Sequence, residues 1–306
     1  MENSPHQHTA SRPLYAILVM CAGVFLLAMN DAAAKFLVAR YDPFQIVFVR
    51  SVLALPLIVA LILAVDGRPA LKSHSVGVHA LRSVVVMGAG YAFFFSIRSL
   101  PLAEAVSLVF AAPIFVTAVS VVFLGEHVGW RRWAAVVAGF AGVLIIVRPG
   151  AAAFQPASLY ALLCALLYAV YMISSRWIDP RDSVRTMLFY ITLFPAVFGS
   201  FVVFTDWPEA QLADLVLFLA MALFGTTGIT LLSQAFRMAP VSVVAPFDYT
   251  ALLWASIFGW YLWGDIPDIW VYVGAAVIVA SGIVLILREA RASRRVQREA
   301  SPPFTV

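Results

Sequence analysis

The stretch FLGEHVGWRRWAAVVAGFAGVLII (123–146) has a later counterpart in YLWGDIPDIWVYVGAAVIVASGIVLIL (261–287). The two align at a shift of about 140 residues, with a one-residue slip, which indicates an internal repeat. The alignment pairs residues in the same order: Gly125-Glu126 with Gly264-Asp265, Trp130 with Trp270, and Gly142 with Gly282. Upstream, RYDPF (40–44) matches WIDPR (177–181), and Pro56 matches Pro195. The shared order and spacing predict a chain made of two copies of one unit.

The composition indicates the solvent in which these units fold. Of the 306 residues, 63% are hydrophobic and 12% are charged, with a mean hydropathy of +0.94, whereas a soluble domain is about half apolar and about a quarter charged. Charge-free runs recur at 14–29, 51–65, 83–97, 105–125, 133–147, 149–175, 186–205, 215–236, 249–264 and 269–287. Because a bilayer span needs about 20 residues, the shorter runs must include a flanking polar residue. The sequence predicts an all-α membrane protein with ten transmembrane helices.

Ten spans divide into two halves of five, and this number sets their relative orientation. Because five is odd, the second half enters the membrane from the opposite side, which predicts two inverted five-helix repeats. The expected organisation is a polar cytoplasmic leader (1–13), a first repeat (14–148), a second repeat (156–288) and a basic cytoplasmic tail (289–306).

The distribution of Lys and Arg predicts the orientation in the membrane. With a cytoplasmic N-terminus, the inside segments carry 15 basic residues and the outside only Lys35, Arg40, Arg98 and Arg148. Such a bias is the positive-inside pattern. The loop around Arg68 and Lys72 also has a counterpart, around Asp206 and Glu209, without any basic residue. We therefore expect both termini to be cytoplasmic.

Several other function classes find no support in the residues. No basic face with aromatic platforms accompanies the net charge of +4, so we expect no nucleic-acid partner. Cys21 and Cys164 each lie in an apolar span and are interpreted as packing residues, without a disulfide framework or metal spacing. Motifs of the HExxH, GxSxG and phosphate-loop types are absent, and LWGD (262–265) lacks the first glycine of an intramembrane-protease motif. We expect no enzyme activity, cofactor or metal.

Five segments carry a resemblance to a known family: LAMNDAAAKFL (27–37), FVR (48–50), LPLAEAVSLVFAAPIF (100–115), FLGE (123–126) and GFAGVLIIVRPG (139–150). With the two halves, they resemble the EamA-type branch of the drug/metabolite transporter superfamily, over roughly residues 14 to 288. The resemblance implies a ten-helix carrier of small organic metabolites in the bacterial inner membrane, with relatives that carry amino acids, riboflavin or S-adenosylmethionine. The second half departs from the pattern, since Val243 stands opposite Glu104.

Ionisable residues within the spans are the candidate site, because a charge at a helix centre costs about 2.5–3.5 kcal/mol on insertion scales. Asn30, Asp31 and Lys35 lie in the outer half of span 1, and Asp31 and Lys35 can pair on one helix face. Both a self-neutralising pair at the interface and a cavity-lining pair that meets substrate or proton fit this spacing. Arg50 in span 2 can snorkel to the same outer side or hold a carboxylate in a cavity.

Span 4 begins with PLAEAVSLVFAAPIF (101–115), in which a carboxylate and two prolines interrupt an apolar run. Glu104 falls in the first helical turn after Pro101, where an acidic group favours the positive end of the helix dipole. A gate or protonation site is the alternative interpretation of Glu104. Pro113 lies in mid-span, and we expect it to bend or open the helix where the helix lines a cavity.

Span 9, APVSVVAPFDYTALLW (239–254), places an ionisable residue deepest in the membrane. Counting from Met238 sets Asp248 about 15 Å deep in a core about 30 Å thick. Pro246 precedes it, and a carboxylate beside a broken helix is where an inverted-repeat carrier places its site. A buried Asp satisfied by neighbouring helices is the alternative. Tyr249 and Trp254 are interpreted as either core packing or a substrate platform.

We interpret the chain as an inner-membrane secondary transporter of a small organic metabolite, such as an amino acid, a vitamin like riboflavin, or a nucleoside-like compound. Alternating access is the expected mechanism, with a proton as the candidate coupling ion. The candidate substrate- or proton-binding residues are Asp248, Tyr249, Glu104, Asp31, Asn30, Lys35, Arg50 and Trp254. A channel-like pore and a membrane scaffold are the alternatives. The expected partners are the cargo and the lipid bilayer, with a homodimer left open.

Overall fold

The computed structural model describes residues 13–65, 67, 71–124, 129–151, 154–179, 181–209 and 211–300, which are helical wherever they are regular. The α-helices are α1 (Pro13–Leu37), α2 (Pro43–Val65), α3 (Val76–Ser99), α4 (Leu102–Val109), α5 (Ala112–Leu124), α6 (Trp130–Val147), α7 (Ala157–Ser174), α8 (Val184–Phe198), α9 (Leu212–Met238), α10 (Val241–Val244), α11 (Ala251–Trp263) and α12 (Ile269–Ala300). Three 3-10 helices cover Ser175–Trp177, Gly199–Phe204 and Ala245–Thr250. Some sequence features used above lie outside the described residues: 1–12, Arg68, Gly125-Glu126, Pro180 and 301–306.

Eight segments of the described chain are long and apolar enough to cross a membrane. They are Leu14–Leu37, Pro43–Val65, Val76–Ser99, Leu102–Val121, Ala157–Trp177, Val184–Phe204, Leu212–Met238 and Ile269–Arg288. The fifth predicted span corresponds to the shorter apolar stretch Trp133–Val147, and the ninth is divided between α10, a 3-10 helix and α11. The prediction of an all-helical, multi-pass membrane protein is confirmed, whereas the full count of ten spans remains a prediction.

The helices of the first half pack against those of the second half. α1 lies along α9 and α3 along α7, while α2 packs on α8 and α6 packs on α12. The internal repeat makes α1 equivalent to α7 and α3 equivalent to α9, so the α1–α9 contact is equivalent to the α3–α7 contact. The α2–α8 and α6–α12 contacts each join two equivalent helices. One two-fold relation between the halves accounts for all four contacts, as a duplicated unit requires.

The ends of the spans gather at two faces. We call the face where α1 begins, at Pro13, the near face, and the face where α1 ends, at Leu37, the far face. Successive spans alternate in direction, so α7 begins at the far face and α8 begins at the near face. The last helix, α12, returns to the near face and continues as helix through Ala300, which includes most of the predicted tail.

Each half contains one interrupted helix, and a proline marks each interruption. α4 ends at Val109 and α5 begins at Ala112, so that Pro113 lies in the first turn of α5. In the second half, α10 gives way to the 3-10 helix Ala245–Thr250, which carries Pro246 near its start. Proline cannot donate the backbone hydrogen bond that a continuous α-helix needs at these points. The opening of span 4 predicted at Pro113 is confirmed.

The two interruptions meet at the centre of the molecule. The offset that sets Val243 opposite Glu104 also sets Tyr249 opposite Phe110. The rings of Phe110 and Tyr249 lie 4.8 Å apart. Residues at equivalent positions can touch only near the axis that relates the two halves, so both broken helices lie beside that axis.

α6 and α12 approach each other closely at two glycines. A Cβ atom on Gly142 would lie 2.8 Å from the carbonyl oxygen of Gly274, and a Cβ on Gly274 would lie 2.6 Å from the carbonyl oxygen of Gly142. Ile146 and Ile278 are buried beside this contact. Small residues let helix backbones approach closely in a membrane, where van der Waals packing drives association.

Candidate functional site

Ionisable side chains from three elements face the interior of the molecule: Asp31 on α1, Arg50 on α2 and Asp248 on the 3-10 helix Ala245–Thr250. Each lies deep among protein atoms and yet keeps part of its surface accessible. Tyr168 on α7 shows this combination most strongly, since it is densely surrounded although 43% of its surface is accessible. Polar groups that lie deep in a membrane protein and keep accessible surface favour an internal space over a packed core.

Electrostatic interactions connect these side chains, and we call the region between them the central cavity. Asp31 interacts with Arg50 and with the thiol of Cys164, and Asp248 interacts with the hydroxyl of Tyr168. Cys164 and Tyr168 are four residues apart and therefore lie on one face of α7. This face runs between the two carboxylates, with Asp31 toward the far face and Asp248 toward the near face.

Asp31 interacts with its sequence neighbour Asn30 and with Arg50. The side-chain amide of Asn30 donates a hydrogen bond to the Asp31 carboxylate at 3.0 Å, and the opposite charge of Arg50 favours the ionised carboxylate. The remaining carbonyl oxygen of Asn30 is buried and has no partner in the described part of the chain. It faces Gly225 of α9, where a Cβ would lie 3.1 Å away. The structure therefore brings three of the candidate site residues, Asn30, Asp31 and Arg50, together in one polar group.

The pairing of Asp31 with Lys35, considered from their spacing, is not formed. The ammonium group of Lys35 donates instead to the carboxylate of Asp265 at 2.9 Å and to the carbonyl oxygen of Leu100 at 2.9 Å. It also lies 5.1 Å from the ring centre of Trp263. A lysine close to a helix end extends toward the interface and away from the membrane interior. Lys35 therefore belongs to the far face.

Three ion pairs, which we call the far-face cluster, join the two halves at this face. Besides Lys35 with Asp265, Arg40 pairs with Asp214 at 2.5 Å, and Arg148 pairs with Asp268 at 2.6 Å. The hydroxyl of Tyr41 donates a further hydrogen bond to Asp214 at 2.9 Å. Each pair has its basic residue in the first half and its acidic residue in the second. The cluster therefore connects the two halves at the far face.

Glu104 lies next to this cluster and not in the central cavity. It occupies the first turn of α4, as predicted, and interacts electrostatically with Arg148 and Asp268. The hydrogen bond that Arg148 donates holds the pKa of Asp268 below its ordinary value. Glu104 therefore lies beside the contacts that connect the halves, and it also has the favourable interaction of an acidic group with the start of α4.

Asp248 differs from every other carboxylate of the site in lacking a partner. Within the residues that the structure describes, its carboxylate forms no hydrogen bond and no ion pair, and no basic side chain interacts with it. Its electrostatic neighbours are the hydroxyls of Tyr168 and Tyr249. The alternative in which neighbouring helices satisfy Asp248 does not fit these contacts.

Tyr249 and Trp254 pack against other helices. The hydroxyl of Tyr249 is buried against Gly282 of α12 without a hydrogen-bond partner in the described chain, and its ring contacts Phe110. Trp254 contacts Phe25 of α1 edge to face, with ring centres 4.7 Å apart. These contacts favour packing for both residues, and Tyr168 provides the accessible aromatic ring beside Asp248 instead.

A groove between α2, α8 and α9 extends from Arg50 toward the near face. Its wall includes Gly225 and Thr226 of α9 and Thr192 of α8, and it reaches Arg185 at the near-face start of α8. Arg50 therefore lines this groove and also interacts with Asp31 of the central cavity.

A second polar group, the near-face cluster, was missed in the sequence analysis. Asp182, between α7 and α8, accepts hydrogen bonds from Ser73 at 2.6 Å and from the backbone amide of His74 at 3.2 Å, and it lies 3.0 Å from a ring nitrogen of His79. Burial alone would raise the pKa of Asp182, but these hydrogen bonds hold it below its ordinary value. The ring of His79 also stacks on that of Tyr190. A histidine at the start of an apolar span was the available sequence signal.

Comparisons with known proteins agree with this architecture. A family model described as the EamA-like transporter family matches residues 14–148 and 155–288. An S-adenosylmethionine uptake transporter of Rickettsia bellii is 28% identical over 88% of this chain and 94% of its own length. A riboflavin transporter of Vibrio cholerae (28% identity, 92% and 96% of the two chains) and a pseudopaline exporter of Pseudomonas aeruginosa (28%, 88% and 95%) are also similar.

One solved structure shares the fold. It is described only as "Crystal structure of protein", and it superposes with a TM-score of 0.61 at 21% sequence identity. The match covers 91% of this chain and 98% of the other. At this identity the likeness concerns the arrangement of helices alone.

Proposed function

The chain belongs to the EamA-like transporter family, whose model matches both of its halves, and on that premise we propose that it is a secondary transporter that moves a small organic metabolite across the bacterial inner membrane by alternating access. The family and the named relatives are transporters and not enzymes. Because one relative is named for uptake and another for export, the proposal leaves the direction of transport open.

The observation that carries the proposal is the central cavity. It lies between two halves related by an approximate two-fold axis, next to a broken helix from each half. Inverted-repeat carriers bind their cargo at such a position, because unwound backbone and half-helix ends offer polar groups at mid-membrane depth. Asp31, Arg50 and Asp248 supply charge there.

The charged contacts between the halves suggest how access alternates. In this conformation the far-face cluster joins the halves by ion pairs, while a groove connects Arg50 with the near face. We propose that cargo enters from the near face in this state, and that rocking of the halves separates the far-face pairs and closes the groove. A proton on Asp31 or Asp248 is the proposed coupling ion, since an intramembrane carboxylate can be neutralised by protonation.

The proposed topology predicts where each face lies in the cell. We expect the near face to be cytoplasmic, because most basic residues belong to it. Fusions that end after Asp206 or Asp268 should place their reporter outside the inner membrane, and a fusion that ends after Ser183 should place its reporter in the cytoplasm. Alkaline phosphatase and green fluorescent protein fusions report these two sides. A cytoplasmic signal after Asp206 would contradict the inverted repeat.

The proposed transport activity predicts saturable flux in vesicles that contain the purified protein. We expect uptake of at least one candidate cargo, with S-adenosylmethionine and riboflavin tested first, to reach a plateau with concentration and to change with an imposed pH gradient. Metabolite profiles of cells with and without the protein extend the search beyond these two compounds. Flux that rises in proportion to concentration would favour a channel-like pore. Unchanged metabolite profiles and no flux would favour a scaffold.

A further inference from the structure

The two carboxylates of the central cavity are neutralised to different extents. Asp31 has the amide of Asn30 as a hydrogen-bond donor and the guanidinium of Arg50 as an opposite charge. Asp248 has neither in the described part of the chain. Arg50 acts on Asp31, and among the described residues no basic side chain, including the buried Arg82, acts on Asp248. The protein thus balances the charge at one end of the cavity and leaves the other end unbalanced.

An unpaired carboxylate in this position is energetically unfavourable without a further positive group. Removing an ion from water is unfavourable, even after the protein relaxes around it. A proton or a cationic ligand can remove that cost. A proton on Asp248 requires neither space nor an aromatic ring beside the carboxylate, whereas an organic cation requires both. The surroundings of Asp248 therefore distinguish a proton from a cationic ligand.

The surroundings of Asp248 match those of a site for an organic cation. Tyr168 lies within electrostatic range of Asp248 and has 43% of its surface accessible, although it is deep in the molecule. Its ring lies 6.0 Å from that of Tyr171. The face of an aromatic ring attracts a cation, and a neighbouring carboxylate adds a full opposite charge.

Resting on the proposed transport function, we propose that Asp248 and Tyr168 form a subsite for a positively charged organic group of the cargo, an ammonium or a sulfonium. The cation lies against the ring of Tyr168 and neutralises Asp248. Asp31 and Arg50, whose opposite charges interact at the other end of the same face of α7, contact the polar remainder of the cargo. The cargo is therefore an organic cation, or a zwitterion whose positive group binds at the Asp248 end.

The test measures binding of two compounds that differ in charge but hardly in shape. S-Adenosylmethionine carries a sulfonium, and S-adenosylhomocysteine lacks one methyl group and that charge. Titration calorimetry on the full chain in detergent should give at least about tenfold tighter binding of the sulfonium compound. In Asp248→Asn, the preference should fall to about twofold or less, because the amide keeps the size but not the charge. The exposed-carboxylate variant Glu209→Gln serves as the matched control and should keep the preference.

A second variant and a second pair of compounds keep the test decisive. Tyr168→Leu should weaken binding of the charged compound about tenfold, while Tyr168→Phe, which keeps the ring, should not. If Asp248→Asn fails to fold, the two tyrosine variants alone test whether the subsite exists. For a smaller cargo, choline is compared with its uncharged analogue, in which a tert-butyl group replaces the trimethylammonium group. Equal affinity, or no binding, for both members of both pairs would overturn the subsite.

The outcomes separate this inference from the proposed function. Saturable flux in vesicles combined with no preference for charged compounds would remove the cation subsite and leave the transporter in place. Loss of pH dependence in Asp248→Asn, with the charge preference unchanged, would assign the residue to a proton and overturn the subsite. Absence of saturable flux in the unmodified protein would remove the transport function itself, whatever the binding data show.

Discussion

Membranes of cells that express the Gly274→Val variant are expected to contain little folded protein. Even a Cβ at this position would lie 2.5 Å from a side-chain carbon of Ile146 and 2.6 Å from the carbonyl oxygen of Gly142. A side-chain carbon can move, but a carbonyl oxygen in the middle of α6 cannot move without displacing the helix. We expect a cost of about 3 kcal/mol or more, because overpacking forces α6 and α12 apart. That is a large share of the about 5–15 kcal/mol that stabilises a typical fold.

A matched glycine elsewhere in the chain controls for this effect. Gly77, in the first turn of α3, lies in open space, and a Cβ added there would meet no described atom within 4 Å. Gly77→Ala should therefore leave stability unchanged or raise it slightly, by about 0.4–1 kcal/mol, since alanine restricts the unfolded chain. Fluorescence-detected size exclusion and thermal unfolding in detergent measure both variants. A Gly274→Val protein with the Tm of the unmodified chain would contradict the close contact between α6 and α12.

Arg50→Gln is expected to abolish transport and to destabilise the protein as well. Without the guanidinium, Asp31 loses the basic side chain that interacts with it, and an uncompensated buried charge costs about 3–5 kcal/mol. The remaining amide of glutamine cannot supply positive charge to a cargo. We expect flux to fall by about a hundredfold or more at equal amounts of protein in the membrane.

The double variant Asp31→Asn/Arg50→Gln separates the two effects. Removing both charges should restore most of the thermal stability, because neither charge is then left without its counterpart. If the pair contacts the cargo, flux should stay low in the double variant although the protein folds. Arg50→Lys keeps the charge but not the planar fork and should retain part of the flux. Normal flux in the double variant would show that the pair has only a structural role.

The parts of the fold that depend on local chemistry could be predicted from the sequence. Proline removes a backbone donor, and the two interruptions lie beside Pro113 and Pro246, although α2 and α8 continue through Pro56 and Pro195. The position of Glu104 in the first turn of α4 followed from Pro101 in the same way. The repeat also indicated which helices are equivalent, and the contacts between the halves agree with that equivalence.

The partners of the charged residues could not be predicted in the same way. Spacing suggested that Lys35 pairs with Asp31, but its ammonium group bonds to Asp265, 230 positions away in the chain. Likewise, His79 contacts Asp182 across 103 positions. Helical periodicity relates residues three or four positions apart, whereas these pairs depend on how the two halves pack. Tyr249 was chosen for its place beside Asp248, yet the helix break turns its hydroxyl toward Gly282.

The two helix interruptions agree in position but differ in form. The first occupies only Phe110 and Ala111, between α4 and α5, while the second is a 3-10 helix of six residues, Ala245–Thr250. Hydrogen bonds of a 3-10 helix have poorer geometry than those of an α-helix, so long stretches are uncommon. If the halves exchange conformations during a transport cycle, span 4 must take on the 3-10 form now present in span 9, and span 9 must take on the form of span 4. On the proposed alternating-access cycle, each half would then show the shape that the other half adopts in the opposite state.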